Sequence, residues 1–534
     1  MTKENLILFD TTLRDGQQTQ GVDFSVKDKT DISKALDDLG LDYIEGGWPG
    51  ANPTDTKFFE SKPNFNHSNF TAFGMTKRSG RSADNDPQLR ALLDSYSNSI
   101  CLVGKTWDYH VDVALGITLE ENIQAVKESV EAVVDSGKES LLDCEHFFDG
   151  FKSNPDFALR CIETSINAGS RWVVLCDTNG GTLPDEVFEI VKKVTDRFPG
   201  DKIGIHCHND TENAVANSLS AIDAGARQLQ GTINGLGERC GNANLISIIP
   251  TFLLKNRYSE KFNISVSKEK LKDLKKVSRL VDDILNRHPN NHQAYVGDNA
   301  FAHKGGLHVS AVMKESQTYE HVHPELVGNT RKILVSNQAG KSNLLSRLSS
   351  IGMEIENDDK RIIKLLDIVK NKEFEGYSYD GAGASFELLA KKVLEGVPDF
   401  FSVNSYQVTI GSDKKKKKDT FSEAQIELDV EGRKIISKGS GNGPVNALDK
   451  ALRKDLGLYN EYLKDLVLVD YKVRILDGGT EAITRVVIES SDKDIDSWFT
   501  VGVNPNIVEA SFQALMDSIN YKLIKEGAPI KKSD

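Results

Sequence analysis

The sequence is poor in cysteine, and it contains no long hydrophobic run. Its six cysteines are few for 534 residues and form no Cys-x-x-Cys pair, which predicts free thiols in a reducing cytoplasm and no cysteine pair for redox chemistry. No apolar run approaches the ~18 residues of a membrane span, and residues 1–10 lack the pattern of a signal peptide. We therefore expect no membrane partner. The cysteines are Cys101, Cys144, Cys161, Cys176, Cys207 and Cys240.

Basic charge is scarce relative to acidic charge. The sequence has 66 Lys and Arg residues against 79 Asp and Glu residues, which gives a formal net charge of −13 at pH 7. This balance argues against nucleic-acid binding, because proteins of that class carry a basic face. The net charge does not argue against binding of small anionic substrates, since a site can carry its own positive charge. The composition is typical of a soluble globular enzyme, and the length predicts two to four domains.

Residues 1–262 alternate short β-rich runs with amphipathic stretches, several of which begin at good helix caps such as Ser25, Thr118 and Asn154. Eight β/α units in about 250 residues predict an α/β fold of the TIM (β/α)8 barrel type, with a doubly wound sheet as the alternative. The predicted helices include 25–39, 118–136, 154–168, 184–197 and 211–224. The predicted strands are 6–11, 42–46, 70–74, 99–104, 140–147, 171–177, 202–208 and 227–233.

The rest of the chain has a different pattern. Residues 263–395 are rich in lysine and mostly helical in pattern, which predicts a helical connecting region. Residues 396–534 alternate predicted strands with two similar helices, in which Val445 and Ala447 match Val508 and Ala510 in register. We therefore expect a C-terminal α+β domain built from two βββα copies. The strands predicted there are 404–410, 421–430, 466–476 and 481–489.

The strongest local signal for chemistry is the run His206-Cys207-His208-Asn209-Asp210 at the end of the seventh predicted strand. Side chains alternate along a strand, so His206 and His208 face the same side. Active sites of TIM barrels lie at this end of the strands, which favours metal ligation over two buried structural histidines.

Two further motifs supply oxygen donors to the same end of the barrel. Asp15 follows strand one in DTTLRDG, and Asn242 lies in the glycine-rich loop after strand eight. Together with two histidines they form a mixed nitrogen and oxygen set that suits Mg, Mn, Co or Zn. Arg14 offers a two-pronged contact to a substrate carboxylate, although an ion pair with Asp15 at a turn is the alternative. Glu145 and Thr178 follow strands five and six, where each is a candidate site residue or a turn residue.

In combination, DTTLRDG (10–16), HCHND (206–210) and GLGERCGN (235–242) resemble the metal-dependent Claisen-condensing TIM-barrel family. This family comprises 2-isopropylmalate, homocitrate and citramalate synthases, and the resemblance covers essentially the whole chain. The C-terminal repeat is similar to the family's amino-acid-sensing regulatory domain. A hydroxymethylglutaryl-CoA lyase is disfavoured, because that relative lacks such a tail and has a different loop after strand eight.

Departures from the isopropylmalate synthase motifs RDGEQ and IEAGFP indicate the branch. This sequence has RDGQQ at 14–18 and IEGGWPG at 44–50, which match the citramalate branch, as do KTWDYHV (105–111) and DCEHFFDG (143–150). Since Gln17 replaces a glutamate, no role is carried over for that carboxylate. The resemblance implies condensation of acetyl-CoA with pyruvate and hydrolysis of the thioester to citramalate and CoA, in isoleucine biosynthesis. The alternatives are another 2-oxo acid acceptor, such as 2-oxoisovalerate, or a non-catalytic amino-acid sensor on a decayed barrel.

The resemblance also implies roles for single residues and segments. Arg14 and Thr178 hold pyruvate, and Glu145 lies beside the reacting centre. His308, with Tyr319 as a weaker match, is the candidate for acid–base work from the other subunit of a homodimer, and His303 is its competitor. Residues 1–262 are the catalytic barrel, 263–395 contribute to the active site, and 396–534 sense isoleucine as feedback effector. The implied ligands of the divalent metal are Asp15, His206, His208 and Asn242.

Overall fold

The computed structural model divides the chain into two compact units. One comprises Met1–Phe301 and His321–Arg331, and the other comprises Ala302–Glu320 and Lys332–Asp534. Among the described residues, no helix combines the length and the hydropathy needed to cross a membrane. The structure describes residues 3–285, 287, 289–333, 341–356, 358–413, 418–430, 432–476, 482–493 and 497–529.

Eight parallel strands of the first unit close into a barrel in chain order. Each strand pairs with its neighbours along the sequence, and the last strand pairs with the first through Ile7–Gln228 and Asp10–Gly231. Outside the barrel, Glu4–Asn5 pairs with Phe262–Asn263. The barrel strands are β1 (Ile7–Asp10), β2 (Tyr43–Gly47), β3 (Asn69–Met75), β4 (Ser99–Lys105), β5 (Glu139–Glu145), β6 (Trp172–Asp177), β7 (Ile203–Cys207) and β8 (Gln228–Gly231).

Helices follow the strands and bury their apolar faces against the barrel. The predicted caps are present: Ser25 and Thr118 form capping boxes, and Asn154 accepts a hydrogen bond from the Phe157 N–H. The helices are α1 (Val26–Leu39), α2 (Pro53–Glu60), α3 (Pro87–Leu93), α4 (Leu119–Asp135), α5 (Phe147–Ser153), α6 (Pro155–Asn167), α7 (Pro184–Arg197), α8 (Ala214–Asp223), α9 (Leu245–Leu254) and α10 (Leu274–Ile284), with shorter helices at Asp108–His110, Val111–Leu115 and Asn256–Ser259.

The second unit begins with helices and ends in two antiparallel sheets. Ala302–His303 pairs with Lys332–Ile333, and the helices α11 to α14 precede the sheets. Each sheet has three strands in sequential order and is followed by one helix. The elements are α11 (Gly306–Lys314), α12 (Lys341–Ser350), α13 (Lys360–Phe374), α14 (Gly383–Leu394), β9 (Ser402–Asp413), β10 (Lys418–Val430), β11 (Arg433–Gly441), α15 (Pro444–Lys454), β12 (Val467–Ile475), β13 (Thr484–Ser491), β14 (Ser497–Asn504) and α16 (Ile507–Lys525).

These elements confirm the predicted fold class. All eight barrel strands lie within two residues of their predicted starts, and the two βββα copies are present with α15 and α16 as their helices. Position 481, the predicted first residue of one C-terminal strand, lies outside the described residues. The third strand of each copy, β11 and β14, is the element that the sequence pattern did not locate.

Candidate active site

A cavity of about 260 Å³ opens at the carboxyl end of the barrel strands. Barrel geometry brings the residues that follow different strands to this one place. Arg14 and Asp15 enter from the loop after β1, Thr178 from the end of β6, and His206 and His208 from the end of β7. These five sequence-predicted residues all line the same cavity, and so does Glu145 at the end of β5.

Asp15, His206 and His208 form a compact group of candidate metal ligands. Each offers a ligand atom within 4.8 Å of the others, and all three side chains are buried. His206 Nε2 lies 3.1 Å from Asp15 Oδ2. His208 Nδ1 is buried without a hydrogen-bond partner among the described residues. A cation among these atoms satisfies groups that are costly to bury alone, so the residues fit a divalent ion.

Asn242 lies directly beside this group. Its Nδ2 donates to Asp15 Oδ2 at 2.8 Å and lies 3.3 Å from His206 Nε2. Rotating the amide by a half turn presents the carbonyl oxygen to the same place. The close approach of Asn242 requires Gly237, because a Cβ at position 237 would lie 2.2 Å from Asn242 Oδ1.

A buried chain of hydrogen bonds orients His206. Its Nδ1 lies 2.8 Å from Gln230 Oε1, and Gln230 Nε2 donates to Asp143 Oδ1 at 3.1 Å. Because the amide oxygen can only accept, Nδ1 carries a proton, and Nε2 is the ring atom that faces Asp15 and is left to bind a cation. A protein group that fixes the tautomer in this way commonly supports a metal-binding histidine.

The electrostatics suit a set of unprotonated ligands. Burial alone raises the pKa of Asp15, but Arg14 and His206 lower it well below its usual range. Burial and His206 lower the pKa of His208 to about 3, so its imidazole is neutral. Burial opposes protonation of His206, yet Asp15 raises the pKa of His206 above its ordinary value. That proton is the one a cation would replace.

Arg14 is held between two carboxylates and an aromatic ring. Its Nε donates to Glu45 Oε2 at 2.7 Å, and its NH1 donates to Asp15 Oδ1 at 2.8 Å. The guanidinium lies 3.7 Å from the centre of the Phe73 ring. Burial and the nearby Asp143 raise the pKa of Glu45 to about 7, although Arg14 opposes the shift. The arrangement fixes the plane of the guanidinium at the cavity wall.

Thr178 and Glu145 lie on the other side of the cavity. Thr178 Oγ1 accepts the His146 N–H at 2.8 Å, which leaves its own hydroxyl proton to donate. Glu145 lies opposite Lys105 in the β4–β5 register, and Lys105 Nζ donates to Glu145 Oε2. Both strand-end residues are therefore placed for polar contact with a bound molecule.

Glu145 also belongs to a second group of possible metal donors, together with His110 and His146. In this group the Lys105 ammonium already pairs with Glu145, and His146 Nδ1 lies 3.1 Å from Asp149 Oδ2. These contacts satisfy the charge of Glu145 without a metal, so the Asp15 group is the better candidate for a metal site.

His308 and Tyr319 belong to the second unit. Their rings contact each other at a tilt of 30°, with centroids 4.2 Å apart, and Tyr319 is 43% exposed. The competitor His303 is engaged elsewhere, because its Nε2 lies 3.0 Å from the buried Glu320 carboxylate. Of the two histidines, His308 is therefore the exposed one.

Sequence reasoning missed four polar residues of the barrel interior: Glu45, Lys105, Asp143 and Gln230. Each lies on a barrel strand, and Glu45, Asp143 and Gln230 are buried. The signal was available, because a charged or amide side chain within an otherwise apolar strand rarely faces a barrel core without a partner.

Three family models match successive parts of the chain. The HMGL-like model covers residues 5–281, the homocitrate synthase post-HMGL domain-like model covers residues 295–373, and the LeuA allosteric (dimerisation) domain covers residues 381–523. Among solved structures, the HMG-CoA lyase of Bacillus subtilis is 19% identical with a TM-score of 0.45, over 54% of this chain and 96% of that chain.

Curated relatives match over nearly the whole chain. The (R)-citramalate synthase of Aquifex aeolicus is 50% identical over 98% of each chain. That of Geobacter sulfurreducens is 47% identical over 97% of each chain, and that of Synechocystis is 44% identical over 98% of this chain and 96% of the relative. The chain, with its HMGL-like region and its LeuA allosteric (dimerisation) domain, therefore belongs to the (R)-citramalate synthase family.

Proposed function

We propose that this chain is an (R)-citramalate synthase that condenses acetyl-CoA with pyruvate and hydrolyses the resulting thioester. The observation that carries the proposal is one cavity in which Asp15, His206 and His208 adjoin Arg14. A divalent ion held by these donors and Asn242 supplies Lewis-acid polarisation of a keto group. The mixed nitrogen and oxygen donor set suits Mg, Mn, Co or Zn.

The chain's own residues bind and orient pyruvate. Arg14 offers its guanidinium to the carboxylate in a two-pronged contact, while Glu45 and Phe73 keep the plane fixed. The Thr178 hydroxyl donates to the same carboxylate. Lys105 pairs with Glu145 and holds that carboxylate beside the reacting centre.

The reaction requires acid–base groups. A base takes a proton from the acetyl methyl group, and the released electron pair forms the bond to the keto carbon of pyruvate. The alkoxide takes up a proton, water adds to the thioester carbonyl, and the CoA thiol leaves. We assign the acid–base work to Glu145 and to His308. The Tyr319 ring lies against the His308 ring.

A second cavity of about 420 Å³ adjoins the first and supports a place for the acetyl arm of acetyl-CoA. The two cavities share Met75, Val103 and Lys105 as lining residues. The other residues that line the second cavity include Leu115, Ile117 and Arg78. Such a mixture of apolar and cationic groups suits an arm that carries methylene groups and phosphates.

Product identity tests the proposed function. Purified protein with Mn²⁺ and acetyl-CoA receives equal amounts of pyruvate, 2-oxobutyrate and 2-oxoisovalerate. Chiral chromatography should find (R)-citramalate as the main product. A preference for 2-oxoisovalerate would reassign the chain to isopropylmalate formation, and absence of any condensation product in metal-loaded protein would favour a sensor.

Changing Arg14 to lysine should damage pyruvate binding. A single ammonium cannot reproduce the contacts to both carboxylates and the substrate, so we expect KM for pyruvate to rise by about tenfold or more. KM for acetyl-CoA should stay within about twofold of wild type. Arg160→Lys is the matched control, because Arg160 makes a two-pronged contact with Glu120 at the surface. A rise confined to KM for acetyl-CoA would contradict the assignment.

We also propose roles for the segments. Residues 1–262 form the catalytic barrel, 263–395 bring His308 to the active site of the other subunit in a homodimer, and 396–534 bind an amino-acid effector. A cavity of about 490 Å³ between α15 and β12 supports the last role. It combines aliphatic walls, such as Val445 and Leu468, with the ion pair of Asp449 and Arg453, which an ammonium and a carboxylate could each join. Isoleucine is the proposed effector.

Replacing Arg453 with methionine should weaken feedback. Arg453 NH1 donates to the Leu466 carbonyl oxygen and NH2 donates to Asp449. Its Nε has no partner among the described residues, so Nε is the donor left for a carboxylate. We expect the isoleucine midpoint of inhibition to rise by about tenfold, with uninhibited condensation unchanged. Titrations with leucine and valine, and the exposed Arg433→Met variant, are the controls. An unchanged midpoint in Arg453→Met would place the effector elsewhere.

A further inference from the structure

Lys29 is a fully buried lysine that contacts two catalytic loops at once. It lies in α1 with 0% of its surface exposed. Its Nζ donates to the carbonyl oxygen of Leu13 at 2.8 Å, to that of Gly46 at 2.9 Å, and to Asp55 Oδ1 at 2.5 Å. An ammonium in the protein interior requires such a complete set of acceptors.

The two carbonyl groups belong to residues adjacent to the site. Leu13 directly precedes Arg14, and Gly46 directly follows Glu45. Arg14 and Glu45 are themselves joined by the hydrogen bond of 2.7 Å from Arg14 Nε. One ammonium group therefore sets the distance between the two backbone segments that carry this ion pair.

Asp55 extends the same contacts to a second cavity-lining residue, Trp48. Its Oδ2 accepts the Trp48 N–H at 2.8 Å and the Asn52 side-chain amide at 2.9 Å. Trp48 lines the cavity and packs edge-on against Phe73, with ring centroids 5.7 Å apart. Gly47 makes room for the carboxylate, because at its φ of +137° a Cβ would lie 2.5 Å from Asp55 Cγ.

We propose that the buried Lys29–Asp55 pair is a positioning device that sets Arg14, Glu45 and Trp48 for the 2-oxo acid. It rests on the proposed function, since the 2-oxo acid is the molecule that Arg14 binds there. Lys29 and Asp55 act through their neighbours. They fix the direction of the Arg14 guanidinium and the position of the Trp48 indole at the cavity wall. The pair should not affect the binding of acetyl-CoA, which we place in the adjoining cavity.

The test compares Lys29→Met and Asp55→Asn with wild type. Lys29→Met removes all three donated hydrogen bonds, and Asp55→Asn removes the charge while keeping an oxygen for the Trp48 N–H. A misplacement of about 1 Å can cost on the order of 10²-fold in rate. We expect KM for pyruvate to rise by about tenfold or more and kcat to fall, with KM for acetyl-CoA within about twofold of wild type. Calorimetric titration with pyruvate and Mn²⁺ should show the same weakening.

The matched control is Lys138→Met at the opposite end of the barrel. Lys138 directly precedes β5, and its Nζ also donates to a backbone carbonyl, that of Ser95, at 2.5 Å. This variant should lower the melting temperature without changing either KM. If Lys29→Met does not fold, Asp55→Asn decides the question. Loss of thermal stability with unchanged pyruvate binding would overturn the proposal. Wild-type protein that binds pyruvate but forms no citramalate would overturn the proposed function alone.

Discussion

His206→Ala and His208→Ala proteins are expected to lose condensation activity by about 10²- to 10³-fold or more. Each removes an imidazole from a group whose ligand atoms lie within 4.8 Å of one another, and the three remaining protein donors hold a divalent ion less well. Metal analysis after desalting should find less than one ion per chain, and a chelator should inactivate wild type reversibly. The readouts are citramalate formation and bound metal on the same samples.

The exposed His67 provides the matched control for these substitutions. It lies before β3, at the opposite end of the strands from the cavity, and His67→Ala should keep both metal and activity. The variants should keep their far-ultraviolet circular dichroism, because the barrel core is built by other residues. Full turnover by metal-free His208→Ala protein would remove the metal from the proposed reaction.

Much of the barrel was predictable because two local signals agree. Short apolar runs alternate with amphipathic stretches, and Ser25, Thr118 and Asn154 mark helix starts that the structure reproduces. The third strand of each C-terminal copy was harder. β11 carries Lys, Ser and Gly at most of its positions, so its alternation is weak, and pairing with β10 defines it.

The candidate site was predictable where residues follow strand ends, as Asp15, His206 and His208 do. The residues that hold the site residues in place were harder to predict from the sequence. Gln230 contacts His206, and Asp143 contacts Gln230, only once the barrel has closed. Lys29 carried a local signal, since it falls on the face of α1 that also holds Ile32 and Leu36. Its partners, Leu13, Gly46 and Asp55, become neighbours only when β1, β2 and α2 pack together.

The variants His308→Ala and His206→Ala are each expected to be inactive alone. A heterodimer of the two is expected to regain condensation activity. In a twofold-symmetric dimer whose sites take the barrel from one chain and His308 from the other, a heterodimer has one site built from intact parts. Random reassortment then gives about a quarter of wild-type activity, from two samples that alone have almost none. Co-expression with two affinity tags isolates the mixed species for the citramalate assay.

The contrast with a pair of barrel variants makes this result decisive. A mixture of His206→Ala and Arg14→Ala proteins should regain condensation activity only if Arg14 and His206 of one chain serve the active sites of different subunits. The structure places both on one barrel wall, so one chain of that heterodimer lacks the imidazole, the other lacks the guanidinium, and no site is intact. Recovery by the His308 pair and not by the barrel pair assigns His308 to the other subunit. Isolated heterodimers of His308→Ala and His206→Ala without activity would show that His308 serves its own chain.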